Sequence, residues 1–461
     1  MHSRAAAGSD AAQIARATMG RRAPSDVALR RLLIVSPHFP PADAVDMHRV
    51  RMNVRHYREH GWDPLVLTVD PAATGRLVDP ALLETLPSNI EVHRCGALPL
   101  ALARRLGVSD IALRSYMHMR SAGDALIASR RPDLVLFSTT AFLTMALGPR
   151  WRRRYGVPFV LDMHDPWHAA PGGGARFERK GMKHALMRQA HRAAEARTAP
   201  AASGFISVSE AYIEALREHY PSLRNVPAAT APFGYADTDA DAAARFGHAW
   251  TYAPHAEALK CVSAGRIAPP MLSSLDAFVS ILAAARTLGI APLANMCAGF
   301  LGTGYQASGN PVVSAAVAAR FSVADRVFER PDRVPLLDAL KTLLEADVLL
   351  ILGSEDAAYQ PSKLYQYLSL GKPLLCVAPG ASALARIVRE MDTVVFVPTE
   401  TTDAIGAARG AAAKLARLLA DKDGSAYAER KDLLERFNAR ALAARECALF
   451  ERALAYSREA A

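Results

Sequence analysis

The feature that most constrains this chain is an alternation of short apolar runs with helix-like stretches that occurs twice, with one lapse between. The first series begins at residues 32–35 and continues through 65–69, 134–137, 159–161 and 205–208. Helical spacing fills the gaps, as in Val50, Val54 and Tyr57 ahead of Gly61, and again over 141–154 and 180–199. Strands in parallel βαβ units are buried on both faces, so they read as continuous apolar runs rather than alternating ones. From Pro232-Phe233-Gly234 the pattern gives way to an Ala- and Asp-rich stretch. It restarts at 261–264 and runs through 293–297, 326–328, 348–352, 373–377 and 393–397.

Two such series predict an α/β protein with two Rossmann-like domains facing a central cleft. The expected boundaries are 29–235 for the first domain, 236–258 for the connection and 259–439 for the second. Residues 431–456 read as helix, with Leu434, Phe437, Leu442, Leu449 and Phe450 apolar, and the segment 440–461 is long enough to cross back and complete the first domain. Residues 1–28 are rich in Ala, Arg and Ser with no continuous apolar stretch, so a disordered tail is expected rather than a secretory signal.

Composition narrows the function classes. With 461 residues, 51% hydrophobic and 22% charged, the chain suits two globular cores. A net charge of +10 suits anionic partners such as nucleotide phosphates or an anionic membrane face. No interleaved basic-aromatic motif or DNA-binding helix pair occurs, so nucleic acid is not expected. The five cysteines are scattered without metal-ligand spacing, which fits a reduced cytoplasmic compartment and no metal. No apolar run reaches the roughly 18 residues needed to span a bilayer. Trp151 among Arg150, Arg152, Arg153 and Arg154 suggests peripheral contact with anionic lipid, or simply a solvated helix end.

Ligands of open α/β sheets bind beyond the carboxyl ends of the strands, so residues just after strands have priority. Four stretches stand out. The first is Ser36-Pro37-His38-Phe39-Pro40-Pro41 with Asp46-Met47-His48-Arg49-Val50-Arg51, where His38, Arg49 and Arg51 are acceptor-side candidates. It lacks a Gly-rich fingerprint and reads equally as a Pro-stiffened loop with exposed arginines. The second is Asp162-Met163-His164-Asp165-Pro166-Trp167, where His164 and Asp165 can serve hydrogen bonding and proton transfer, or Asp165 can cap a helix begun by Pro166. The nearby Gly172-Gly173-Gly174 reads as a mobile lid. In the third, Gly265 permits a tight turn and Arg266 faces the cleft, where it can clamp a diphosphate. The fourth runs from Gln360 through Pro361, Ser362, Lys363 and Leu364 to Gln366 and Gly371. A helix starting at Pro361 would gather backbone donors, a hydroxyl and an ammonium at one point, which suits phosphate; a capped helix with a solvated lysine is the plainer reading.

The stretches LLIVSPHFPP, GVPFVLDMHDPW, FISVSEAYIEAL, PFGYAD, SAGRI, LLEADVLLIL and PSKLYQYLSLGKPLL, in that order, resemble the family-4-type glycosyltransferases of the GT-B fold from residue 31 onward. The resemblance is closest to enzymes of bacterial polysaccharide and envelope assembly. It implies an acceptor-binding first domain and a second domain that binds a nucleotide-diphosphate sugar. It also implies a retaining reaction without a metal or other cofactor, and a sugar, lipid-linked or small-molecule acceptor. His164 matches the histidine beside the donor sugar, Arg266 the diphosphate arginine, and Gln366 the second Glu of the family's ribose-binding pair. The first Glu position is Ala358, and the lysine that usually follows the Gly-Arg pair is absent; Lys363 is the candidate to supply its charge. The same fold serves nucleotide-sugar epimerases and catalytically silent partners in polysaccharide assembly, which differ in needing no acceptor or turning over no donor.

Overall fold

The computed structural model describes residues 28–165, 167, 182–253, 257–304, 308–356, 361–421 and 424–459. The tail, the Gly172–Gly174 stretch, Pro166, Ala358 and Gln360 lie outside them.

Two parallel sheets carry the two domains. In the first, the strands are β1 Arg30–Val35, β2 Trp62–Val69, β3 Glu91–Cys95, β4 Leu134–Thr139, β5 Phe159–Met163, β6 Gly204–Ser207 and β7 Ala228–Thr230. Their spatial order is β3-β2-β1-β4-β5-β6-β7. In the second they are β8 Leu259–Ala264, β9 Met296–Leu301, β10 Val327–Arg330, β11 Val348–Leu352, β12 Leu374–Ala378 and β13 Val394–Pro398, ordered β10-β9-β8-β11-β12-β13. Both orders reverse direction beside the first strand of the domain, and the reversal opens a crevice at the strand ends. The central strands are continuously apolar and fully buried, as in Leu32, Leu33, Ile34 and Val35 of β1 and all of Val348–Leu352.

Several expectations shift. The 236–258 connection is not irregular: Asp237–Phe246 is a helix whose Ala242 and Ala243 pack with Leu337 and Leu340 of the second domain. Residues 293–295 form a short 3-10 turn ahead of β9. The stretch Pro269–Leu288 is long and apolar enough to cross a membrane, with mean hydropathy 1.4. It instead buries Leu275, Phe278, Val279 and Leu282 in the second core. Trp151 is fully buried, stacked on Phe137 at 5.7 Å and donating its indole N–H to Asp124, so it is not available to lipid, whereas Arg153 and Arg154 stay exposed. All five cysteines are free thiols in buried positions.

The two segments that join the domains run side by side. Tyr235 N–H donates to the Phe437 carbonyl and Ala439 N–H to the Tyr235 carbonyl. Gly234 makes this possible: a Cβ there would sit 2.0 Å from the Phe437 oxygen. The last helix, Ala439–Glu459, then packs on the first domain. Leu442, Cys447, Leu449, Phe450 and Ala453 share a core with Leu32, Ile34 and Trp62. Phe450 meets Trp62 and Tyr57 edge-on at 5.4 and 5.9 Å. Phe450→Ala is therefore expected to cost about 3–5 kcal/mol. In guanidinium unfolding it should lower the midpoint of the first-domain transition and leave the second domain's unchanged.

Candidate active site

Loops at the carboxyl ends of β1, β4, β5 and β6 meet the second domain around a cavity of about 190 Å³. Its first-domain wall includes Asp46, Thr140, His164, Asp165, Ser209 and Tyr212; Phe233 enters from the connection, and Pro361, Ser362, Leu364 and Tyr365 close it from the second domain. An adjoining cavity of about 170 Å³ shares Val45, Phe233 and Ser362, and is also lined by His48, Arg51, Lys363 and Gln366.

The first wall is built on a buried ionic network. Asp162 and His164 are two residues apart at the end of an extended strand, so their side chains fall on one face. His164 Nε2 lies 2.8 Å from Asp162 Oδ2, and the same oxygen accepts the Ser138 hydroxyl at 2.6 Å. Arg49 Nε sits 2.9 Å from it, while Arg49 Nη2 donates to the Ala231 carbonyl and Nη1 approaches Glu446 at 3.4 Å. Glu446 also accepts from Tyr57 OH at 2.6 Å and Asn53 at 3.0 Å. Burial alone would raise the Asp162 carboxyl, but the charges of Arg49 and His164 outweigh it and lower it below its ordinary value. Burial dominates at Glu446 and raises it.

Asp46 forms a second node. Its carboxylate receives His38 Nδ1 at 2.8 Å on one oxygen and the Thr139 hydroxyl at 2.9 Å on the other. Burial opposes ionisation, yet the charge and hydrogen bond of His38, with His164 and Thr139, hold it far below the usual carboxylate range. His38 thus orients Asp46, and Asp46 is the group on the cavity wall.

The alternative reading of the two arginines as exposed is corrected: Arg49 and Arg51 are 2% and 1% exposed, and Arg51 also borders the adjoining cavity. Arg51 pairs bidentately with Asp239 at 2.6 and 2.7 Å, which ties the first domain to the connecting helix. A guanidinium fork already satisfied in this way is a structural clamp.

On the second domain, the helix after Pro361 begins later than expected, at Leu364, and ends at Ser369 before Gly371. Lys363 reaches back across it to β8. Its Nζ donates to the Ala264 carbonyl at 3.0 Å and approaches the Ser263 hydroxyl at 3.3 Å. Burial lowers it to about 8. Gly265, at φ 115°, lies beside it: a Cβ there would be 3.8 Å from the Lys363 amine. Arg266 is exposed on the same loop and outside the walls of both cavities. Gln366 lines the adjoining cavity on the side of Lys363 and Arg51. Asp165 is exposed at the mouth of the first.

Residues 48–234 match the family model for the glycosyl transferase 4-like domain. Across both domains the chain shares the GT-B arrangement of solved glycosyltransferases. Sucrose-phosphate synthase from Thermosynechococcus elongatus matches at TM-score 0.54 and 16% identity over 92% of this chain and 99% of that one. WaaG, a glycosyltransferase involved in lipopolysaccharide biosynthesis, gives 0.52 and 12% over 89% and 98%. Trehalose-6-phosphate from E. coli bound with UDP-2-fluoro glucose gives 0.56 and 12% over 92% and 99%. No curated protein sequence matches the chain.

Asp46, Glu446 and Phe233 carry weak local signals in the sequence. Asp46 stands in the first stretch with no distinguishing neighbour, and Glu446 shows only as an acid amid the apolar positions Leu442, Cys447, Leu449 and Phe450. Phe233 packs its ring against the Arg49 guanidinium at 4.9 Å and the His164 ring at 5.2 Å.

Removing Arg49 would leave Asp162 and Glu446 buried without their cation. Arg49→Ala is expected to destabilise the protein by about 3–5 kcal/mol. Chemical denaturation followed by tryptophan fluorescence measures this loss, and a change below about 1 kcal/mol, the scale of an exposed ion pair, would contradict the network.

Proposed function

We propose that this chain is a glycosyltransferase that moves a sugar from a nucleotide-diphosphate donor to a hydroxyl acceptor with retention of configuration. The observation that carries the reading is Lys363. It is an ammonium held at the end of β8, lining the interdomain cleft, and among the described residues its hydrogen-bond partners are one carbonyl and one hydroxyl. A cation so placed favours an anion that arrives with the ligand. Gly265 leaves room beside it, Ser362 adds a hydroxyl, and Arg266 lies on the adjacent loop. We assign the diphosphate to these four residues and the ribose to Gln366, whose amide can donate and accept. Pro361 and Leu364 shape the apolar floor.

The acceptor hydroxyl then attacks the anomeric carbon on the same face from which the phosphate departs, as the bond to the phosphate oxygen breaks. The electron pair leaves with the nucleoside diphosphate toward Lys363, and the departing phosphate oxygen takes the acceptor proton. His164 and Asp165 orient the hydroxyls around the reacting carbon. A GT-B neighbour with bound UDP-2-fluoro glucose and another from lipopolysaccharide biosynthesis support a nucleotide-sugar donor and a role in polysaccharide or glycoconjugate assembly. The compartment that fits such substrates and the free thiols is the cytoplasm.

Two outcomes follow. Lys363→Met should weaken nucleoside-diphosphate binding about tenfold to a hundredfold, the worth of one charge-assisted hydrogen bond, read by titration calorimetry. Unchanged affinity in both Lys363→Met and Arg266→Ala removes this reading. In the unsubstituted protein the anion needs the protonated amine, whose value is about 8. Affinity should therefore fall with rising pH above that value, approaching tenfold per unit, with proton uptake on binding. Lys363→Met should abolish that slope.

A further inference from the structure

The two adjoining cavities differ in the charge they present. The one lined by Lys363 also holds Arg51 and His48. The other presents two carboxylates, Asp46 and Asp165, with hydroxyls from Thr140 and Ser209, and among the described residues neither Lys nor Arg lines it. Its hydrogen-bonding character is set by His164. An ionised Asp162 can only accept, so His164 Nε2 carries the proton toward it at 2.8 Å. The other ring nitrogen, Nδ1, is buried and has no hydrogen-bond partner among the described residues, and His164, 4% exposed, forms part of the cavity wall. Buried polar atoms are rarely left unpaired, so the free nitrogen marks a place for a ligand donor.

Asp46 adds a second acceptor. Its Oδ2 is taken up by the Thr139 hydroxyl and by the Thr140 hydroxyl and N–H, whereas Oδ1 meets His38 alone and retains a lone pair toward a further donor. A carboxylate and an unpaired ring nitrogen on one wall suit O–H or N–H groups. A phosphate or carboxylate seated there would meet the like charge of Asp46 and Asp165 with no cationic side chain among the described lining residues to offset it, a mismatch that costs far more than losing one contact.

Resting on the glycosyltransferase reading, we propose that the acceptor seated against Asp46 and His164 is a neutral or amino sugar, and that phosphorylated and carboxylated sugars are excluded. Asp46 is the specificity-determining residue for this choice. Its isosteric amide, in Asp46→Asn, keeps acceptor capacity on one oxygen but removes the charge and introduces donors.

The test measures binding, so it stands apart from turnover. Saturation-transfer NMR on the full chain, with nucleoside diphosphate present, would compare gluco-, galacto- and manno-configured sugars in four forms: neutral, 2-amino, 6-phosphate and uronate. The tightest ligand should be a neutral or amino sugar, favoured at least about tenfold over the phosphate and uronate of the same configuration. Asp46→Asn should narrow that ratio, with most of the change in the amino sugar. A phosphate or uronate binding best, no member binding above background, or an unchanged ratio in a folded Asp46→Asn would each overturn the proposal. Nucleoside-diphosphate titration of the same samples reports separately on the donor reading. If that signal is absent, the transferase assignment falls, whereas its presence with the wrong sugar preference sinks only the acceptor class.

Discussion

The Arg49 guanidinium holds together parts of the chain that are far apart in sequence. It pairs with Asp162 at the end of β5, donates to the Ala231 carbonyl just before the connection, approaches Glu446 on the last helix and lies against Phe233. Two of these segments, the end of β5 and the connection, supply residues of the cleft wall, His164 and Phe233. An unpaired charge at that depth would cost several kcal/mol, so the segments are compatible with one arrangement only. The network's role is to specify that arrangement more than to add net stability, since a buried ion pair gains little over well-packed apolar groups.

The cleft inherits its chemistry from this scaffold. Asp162 is fixed by Arg49 and Ser138, and it in turn fixes the His164 ring. On the facing domain, Lys363 is pulled back onto the end of β8 by the Ala264 carbonyl, which desolvates it and lowers it to about 8. The result is a division of labour by charge, with acceptor atoms on the first domain and a cation on the second. Phe233, where the domains join, lines both cavities. The Arg333–Asp43 pair at 2.7 Å bridges the domains near this point, and Arg51–Asp239 anchors the connecting helix.

Much of the architecture was legible because parallel strands buried on both faces leave an unmistakable apolar signature. The strand runs 134–137, 159–161 and 348–352 all fall within strands, and the first-domain motif His164 does stand on the cavity wall. The errors share one cause. Arg49 and Arg51 read as surface cations because nothing local distinguishes a solvated arginine from one whose partners lie at Glu446 and Asp239. The Ala- and Asp-rich stretch after Phe233 read as irregular because short side chains give little periodic signal, yet Ala242 and Ala243 are the small residues that let its helix approach the second domain closely.

By itself, then, the sequence determined two parallel α/β units and a return helix with an apolar face. Those depend on local periodicity and on the burial it demands. Tertiary structure alone decided which charges face each other: that Asp46 rather than Arg49 reaches the cleft, that Lys363 meets Ala264, and that Glu446 is buried beneath the first domain. Coulomb and hydrogen-bond partners are chosen across 99 to 397 residues of chain, and no spacing rule encodes contacts of that range.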